Sequence, residues 1–193
     1  RMAVTLAIIN MPLLAQAADV SPVRITDGST YTMTADSVIN TGSNTTGIFV
    51  GYKDGGTIVG DNVTVTSDGY GIQIQTYATG GVAGSGDCSI KLGKTIVEAK
   101  SSAVRVDSSS YGQKATVILG AGSILNSSAN SAVYVTGKDS LLQIGDGSTV
   151  TGNSYGATGA ALASASGGKI EIGNGVKIGH DNIRGYDVNS IAV

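Results

Sequence analysis

Apolar residues in this chain alternate with polar ones in short bursts, and the bursts recur about every 28 residues. One recurring unit has the form small–apolar–x–apolar. Its copies are Gly47-Ile48-Phe49-Val50, Gly71-Ile72-Gln73-Ile74, Ala103-Val104-Arg105-Val106, Ala132-Val133-Tyr134-Val135, Ala160-Ala161-Leu162-Ala163 and Ser190-Ile191-Ala192-Val193. A second unit reads apolar–x–apolar–Gly. It appears as Ile90-Lys91-Leu92-Gly93, Val117-Ile118-Leu119-Gly120, Leu142-Gln143-Ile144-Gly145 and Ile170-Glu171-Ile172-Gly173, with Thr57-Ile58-Val59-Gly60 as a weaker copy. Alternation with period two marks strands with one buried face. Val, Ile and Thr fill the bursts, as pleated surfaces favour. Gly, Asn, Asp and Ser fill the breaks, where turns often require positive φ. Val63-Thr64-Val65 and Val176-Lys177-Ile178 add a third strand after the glycine.

Repeats of this length point to a stacked fold in which each unit contacts only its neighbours. An antiparallel sandwich would not repeat one two-part unit in register, and no helical crossovers are present for βαβ units. The pattern therefore predicts an all-β chain: a right-handed parallel β-helix (solenoid) of about five to six coils of 24–32 residues. Equivalent strands would pair in parallel at the ordinary interstrand spacing of about 4.8 Å. The inward columns would be Ile48, Ile72, Val104, Val133, Ala161, Ile191 and Val50, Ile74, Val106, Val135, Ala163, Val193. A second wall would stack Leu92, Leu119, Ile144 and Ile172.

The N-terminal segment differs. Residues 2–15 form an apolar run without charge, preceded by Arg1 and followed by the small-residue site Ala15-Gln16-Ala17. This is the pattern of a secretory signal peptide, and it is shorter than the roughly 20 residues needed to span a bilayer. The expected organisation is a signal peptide with a truncated n-region at 1–17, an N-terminal capping rung at 18–46, and β-helix repeats over 47–193 that continue beyond the last residue.

Composition narrows the function classes. Of 193 residues, 29 are Gly and only 13% are charged, while 41% are hydrophobic and the net charge is −2. Hydrophobicity at that level with little net charge indicates a folded chain. The mild acidity argues against nucleic acid, because no basic stripe is evident to release counterions. The lone Cys88 can form no internal disulfide and is expected in a loop with no reactive role.

Catalytic chemistry needs clusters, and the repeat allows a search for them. The residue after the repeated Gly runs Asp61, Lys94, Ala121, Asp146 and Asn174, which is no acidic ladder. The outward position of the first strand reads Phe49, Gln73, Arg105, Tyr134, Leu162 and Ala192, again without a cluster. Asp68, Asp87, Glu98, Asp107 and Asp181 fall in scattered turns or strand ends, where they serve turn geometry. His180, the only histidine, stands beside Asp181, but one His without partners makes a poor metal site. Gly120-Ala121-Gly122, Gly145-Asp146-Gly147 and Gly173-Asn174-Gly175 recur at equivalent places and read as coil corners rather than phosphate loops. Gly80 to Asp87 resembles one calcium nonapeptide but lacks the tandem pattern and reads as a loop. No catalytic, cofactor-binding or metal residue is assigned. Tyr52, Tyr70, Tyr77, Tyr111, Tyr155 and Tyr186 lie in or beside turns; they either pack over corners or contact a partner.

With its export signal, its Ser/Thr/Asn/Gly-rich repeats and corners such as Leu142 to Val150, the chain over 18–193 resembles the passenger domains of pertactin-like Gram-negative autotransporters. The resemblance implies a right-handed β-helix exported through the periplasm and carried across the outer membrane by a C-terminal β-barrel translocator, its first partner. It implies a bacterial surface or extracellular location. The expected function is a non-enzymatic stalk or adhesin for cell adhesion or autoaggregation, touching host surface molecules or like chains, without cofactor and without nucleic acid. The alternative is a secreted carbohydrate-active β-helix enzyme, a polysaccharide lyase or glycoside hydrolase, or a phage-tail-like β-helix.

Overall fold

The structure, a computed structural model, describes residues 18–77, 84–108, 112–153, 160–179, 183–185 and 191–192, the last two stretches as strand backbone. The expected signal peptide, His180, Asp181, Tyr111, Tyr155, Tyr186 and Val193 lie outside the described residues.

The chain winds through three strands per coil. The first coil holds β1 (Ala18–Val20), β2 (Val23–Ile25) and β3 (Thr30–Thr32); the next β4 (Ser37–Thr41), β5 (Ile48–Gly51) and β6 (Gly56–Gly60). Then come β7 (Val63–Ser67), β8 (Ile72–Gln75) and β9 (Cys88–Leu92), followed by β10 (Thr95–Ala99), β11 (Val104–Asp107) and β12 (Ala115–Leu119). The remaining coils carry β13 (Ile124–Ser127), β14 (Val133–Thr136) and β15 (Ser140–Ile144); β16 (Thr149–Thr151), β17 (Leu162–Ala165) and β18 (Lys169–Ile172); and β19 (Lys177–Gly179), β20 (Ile183–Gly185) and β21 (Ile191–Ala192). Every third strand pairs in parallel, which produces three seven-stranded sheets. The first runs β1-β4-β7-β10-β13-β16-β19, the second β2-β5-β8-β11-β14-β17-β20, and the third β3-β6-β9-β12-β15-β18-β21. The fold is thus an all-β parallel solenoid. Residues 18–46 supply β1 to β4, and their strands pair within the same three sheets.

The core is the space enclosed by the three sheets, and identical chemistry stacks along it. Ile48, Ile72, Val104 and Val133 form one column of the second sheet, and Val50, Ile74, Val106 and Val135 the other; all are fully buried. The third sheet contributes Leu92, Leu119, Ile144 and Ile172, in the predicted register. The first sheet, anticipated only as an additional strand, closes the prism with Ile39, Val65, Val97, Leu125 and Val150.

Buried hydroxyls hold the corner leading into the first sheet. Ser37, Thr95, Ser123 and Ser148 are completely inaccessible. The Ser123 hydroxyl donates to the Gly120 carbonyl at 2.7 Å and accepts the Thr95 amide at 3.1 Å; Ser148 repeats both bonds, to Gly145 and from Ser123. Each side chain so satisfies a backbone group that the corner takes out of the sheet ladder, where an unpaired buried amide is costly. Gly122, Gly147 and Gly175 stack at the tips of these corners with φ of 70°, 65° and 67°, a conformation that glycine adopts freely. The reading of these glycines as corners holds.

Four expectations are corrected. The fifth copy of the first unit is shifted by one residue: Leu162 pairs with Val133 and Ser164 with Val135, so Leu162 points inward and Ala163 outward. The run Ala160-Ala161-Leu162-Ala163 has no polar residue to set its parity, and burial of the one large side chain decides it. The sixth copy is misassigned: Ile191 pairs with Ile170 in the third sheet, and the second sheet takes Ile183 to Gly185 instead. Arg184 and Gly185 disguise that strand in the sequence. The weak copy at 57–60 also slips by one, because Ile58 pairs with Ile90 and Gly60 with Leu92.

Cys88 is the fourth correction. It lies in strand β9, buried, and is not in a loop. Burial foremost, and then the Asp87 charge, pushes its thiol up to about 12. The folded value lies above the ordinary value of 9.0, so the neutral thiol's contribution to stability is complete below pH 9 and is lost as pH rises towards 12. We expect Cys88 to resist a thiol-reactive dye at pH 7.5 in the folded chain and to react fully in denaturant. Rapid labelling without denaturant would contradict its inward position.

Candidate binding face on the second sheet

The outer surface of the second sheet is built from the positions that alternate with its two inward columns. With the corrected register, the central outward column reads Arg24, Phe49, Gln73, Arg105, Tyr134 and Ala163, and Arg184 holds the next register position of the sheet. Beside it stand Gly51, Gln75, Asp107, Thr136 and Ala165. Tyr52 and Tyr77 follow β5 and β8, and Tyr70 precedes β8, so short turns carry three tyrosines to the rim of this same face.

These side chains form two linked groups. In the first, the exposed Arg24 guanidinium lies 4.1 Å from the Phe49 ring centroid and 5.0 Å from that of Tyr52, while the two rings sit 4.9 Å apart and tilted by 50°. In the second, Arg105 lies between the rings of Tyr70 and Tyr134, at 5.5 and 5.4 Å. One Arg105 Nη donates to the Tyr70 hydroxyl at 3.1 Å and the other to Asp107 Oδ2 at 3.2 Å. Tyr77 donates to the same carboxylate oxygen at 2.9 Å. Between the groups, Thr46 donates to Gln73 Oε1, Gln73 Nε2 to Gln75 Oε1, and Gln75 Nε2 to the Tyr77 carbonyl, at 3.0–3.1 Å. Contacts between a cation and an aromatic face contribute on the order of 0.5–1 kcal/mol at exposed sites. Their larger effect here is to hold the guanidinium planes in place.

The electrostatics follow from this packing. Burial opposes the Arg105 charge, but Tyr70 and Asp107 more than offset it and hold the guanidinium above its ordinary range. Asp107 is the only acid on the strands of the second sheet, and none of the chain's eight lysines lies on them.

Among the described residues, the acids considered for catalysis are dispersed. Asp87 accepts the Lys114 amide, Glu98 accepts from Asn126, and Asp61 and Asp146 accept turn amides. Glu171, on the outer face of the third sheet, is held below the usual carboxylate range by hydrogen bonds from Gln143 first and then Lys169. Among the described residues, no group of three or more His, Cys, Asp or Glu is placed to hold a metal ion. A groove of about 420 Å³ on the first sheet is lined by Asp36, Val38, Asn62, Val63, Thr64, Lys94 and Ile96, without a pair of facing acids.

Sequence reasoning listed eight of the residues in this face, Phe49, Gln73, Arg105, Tyr134, Asp107, Tyr52, Tyr70 and Tyr77, but did not assemble them. The outward column looked featureless because Leu162 and Ala192 were placed in it, and because its two ends, Arg24 and Arg184, were not recognised. A signal was present: apart from Arg1, every arginine of the chain falls in this one column.

The chain matches no protein-family model, no curated protein and no solved structure.

Proposed function

We propose that this chain is a segment of a pertactin-like autotransporter passenger, a β-helical stalk and adhesin displayed on a bacterial surface for adhesion or autoaggregation. The observation that carries this reading is the outer face of the second sheet, where arginines and aromatic rings are repeated along the solenoid rather than gathered at one cleft. Such a face offers the same contact at several heights, which suits an extended partner more than a single small substrate. The leader-like residues 1–17 and the Ser/Thr/Asn/Gly-rich corners support export and display.

The test is to fuse residues 18–193 to a β-barrel translocator in a Gram-negative host and confirm display with protease. Cells carrying the fusion should sediment faster or adhere more to epithelial monolayers than cells displaying the barrel alone. Equal sedimentation and equal adherence would sink the adhesin reading.

A further inference from the structure

We propose that the outer face of the second sheet binds a linear acidic polysaccharide laid along the solenoid axis, with Arg24, Arg105 and Arg184 at the register positions that meet its anionic groups. The proposal rests on the adhesin reading and names its ligand class.

Three observations lead to this ligand. The first is periodicity. Arg24 is on β2, Arg105 on β11 and Arg184 on β20, which are the first, fourth and seventh strands of one sheet. Arginine therefore returns every third strand in a single column, at roughly 14 Å intervals for a spacing of about 4.8 Å per strand. A repeating row of cations calls for a ligand whose anions also repeat. Second is charge. The chain as a whole carries −2, yet the strands of this sheet hold three arginines against one carboxylate. That carboxylate, Asp107, is already engaged by Arg105 and Tyr77, while Arg24 is exposed and makes no ion pair among the described residues. A planar guanidinium matches carboxylate or sulfate oxygens through paired N–H donors.

The third observation is what separates the arginines. Half-buried tyrosine rings (Tyr52, Tyr70 and Tyr134) and the amides Gln73 and Gln75 occupy the intervening rungs. Aromatic faces accept the apolar C–H face of a sugar ring, and their hydroxyls and the neighbouring amides supply donors and acceptors for sugar hydroxyls. Nucleic acid fits less well. Its phosphates recur every 3.4 Å or so along each strand and need a denser row of cations than one per three rungs. A peptide strand would seek a sheet edge, whereas this surface is a sheet face.

The experiment measures binding of purified residues 18–193 to fluorescent polygalacturonate (carboxylates), heparin (sulfates), dextran (neutral) and an oligo-dT strand. At least one acidic polysaccharide should bind tenfold or more tightly than dextran and oligo-dT, and the two acidic arms distinguish carboxylate from sulfate recognition. Arg24→Gln and Arg184→Gln should each weaken that binding roughly tenfold, as expected for loss of one charge-assisted contact. Arg105→Gln should do the same where its melting temperature is retained; the exposed Arg24 carries the test otherwise. A Lys169→Gln/Lys177→Gln variant, altered on the other two sheets, should bind like the parent. Equal binding to dextran, tighter binding to oligo-dT, or an equal loss in the lysine variant would overturn the proposal. Display separates it from the adhesin reading. Displayed cells that adhere undiminished with Arg24→Gln and Arg184→Gln refute the ligand alone, whereas polysaccharide binding by the purified chain without adherence of displaying cells refutes the adhesin alone.

Discussion

Replacing Leu162 by alanine should lower the stability of the fold by about 2–5 kcal/mol, the usual cost of removing a large aliphatic side chain from a closed core. Leu162 is fully buried, in line with Val133, between the second sheet and the interior. In a chain of this length, a loss of that size should lower Tm on the order of 10 °C. The substitution also tests the register. Were Leu162 outward, as the small–apolar–x–apolar alignment has it, the same change would fall within about 0.5 kcal/mol, as surface substitutions do. Chemical denaturation monitored by circular dichroism distinguishes the two cases. An unchanged midpoint would mean that the column continues through Ala161 and that the sheet face described above is misaligned beyond Tyr134.

Gly71→Val should be at least as damaging, at about 3 kcal/mol or more, because it overfills a place where backbone and core meet. Gly71 opens the second copy of the small–apolar–x–apolar unit. A Cβ there would lie 2.7 Å from the Ala103 carbonyl oxygen and would collide with the Val97 side chain across the interior. Neither neighbour can retreat: Val97 is fully buried in the first sheet, and the Ala103 carbonyl accepts the Ile72 amide at 2.8 Å. The backbone conformation at Gly71 is an ordinary one, so the penalty is one of space and not of φ. Gly42→Ala is the matching control. No atom lies within 4 Å of a Cβ built there, and it should leave the denaturation midpoint unchanged. If Gly71→Val melts with the parent, the corner must be looser than the packing implies.

Gly71 also explains why the repeat was legible. The small residue in each copy is not a matter of composition. It marks the point where the chain turns into the second sheet with its side chain pressed against the first, so Gly47, Gly71, Ala103 and Ala132 are all buried. Geometry of that kind imposes itself once per coil and leaves a period that can be read directly. The apolar–x–apolar–Gly unit is legible for a similar reason. Its two apolar residues stack under their counterparts, and its glycine lies so close to the preceding coil that a Cβ at Gly120 would meet the Gly93 backbone at 2.8 Å.

The outer face of the second sheet was less legible because an outward position has no common requirement from coil to coil. Phe49, Gln73, Arg105 and Tyr134 are chemically unrelated when written as a column. They become a group only when each side chain's neighbours in the coils above and below are known. Tyr70 and Tyr77 belong to turns in the sequence, yet the fold places them against Arg105 and Asp107, 35 and 30 residues away.

The sequence by itself determined the parallel solenoid, the coil length, two of its three walls and most inward positions. Burial of an apolar side chain depends mainly on its parity within a strand, and parity is a local property. The tertiary structure alone decided the register of coils whose copies were weak, the third wall as a continuous sheet, and the alignment of Arg24, Arg105 and Arg184 on one face. Those depend on the number of residues each turn consumes before the next strand begins. Turn length varies freely at the surface, and only the pairing of strands across coils fixes where each side chain comes to rest.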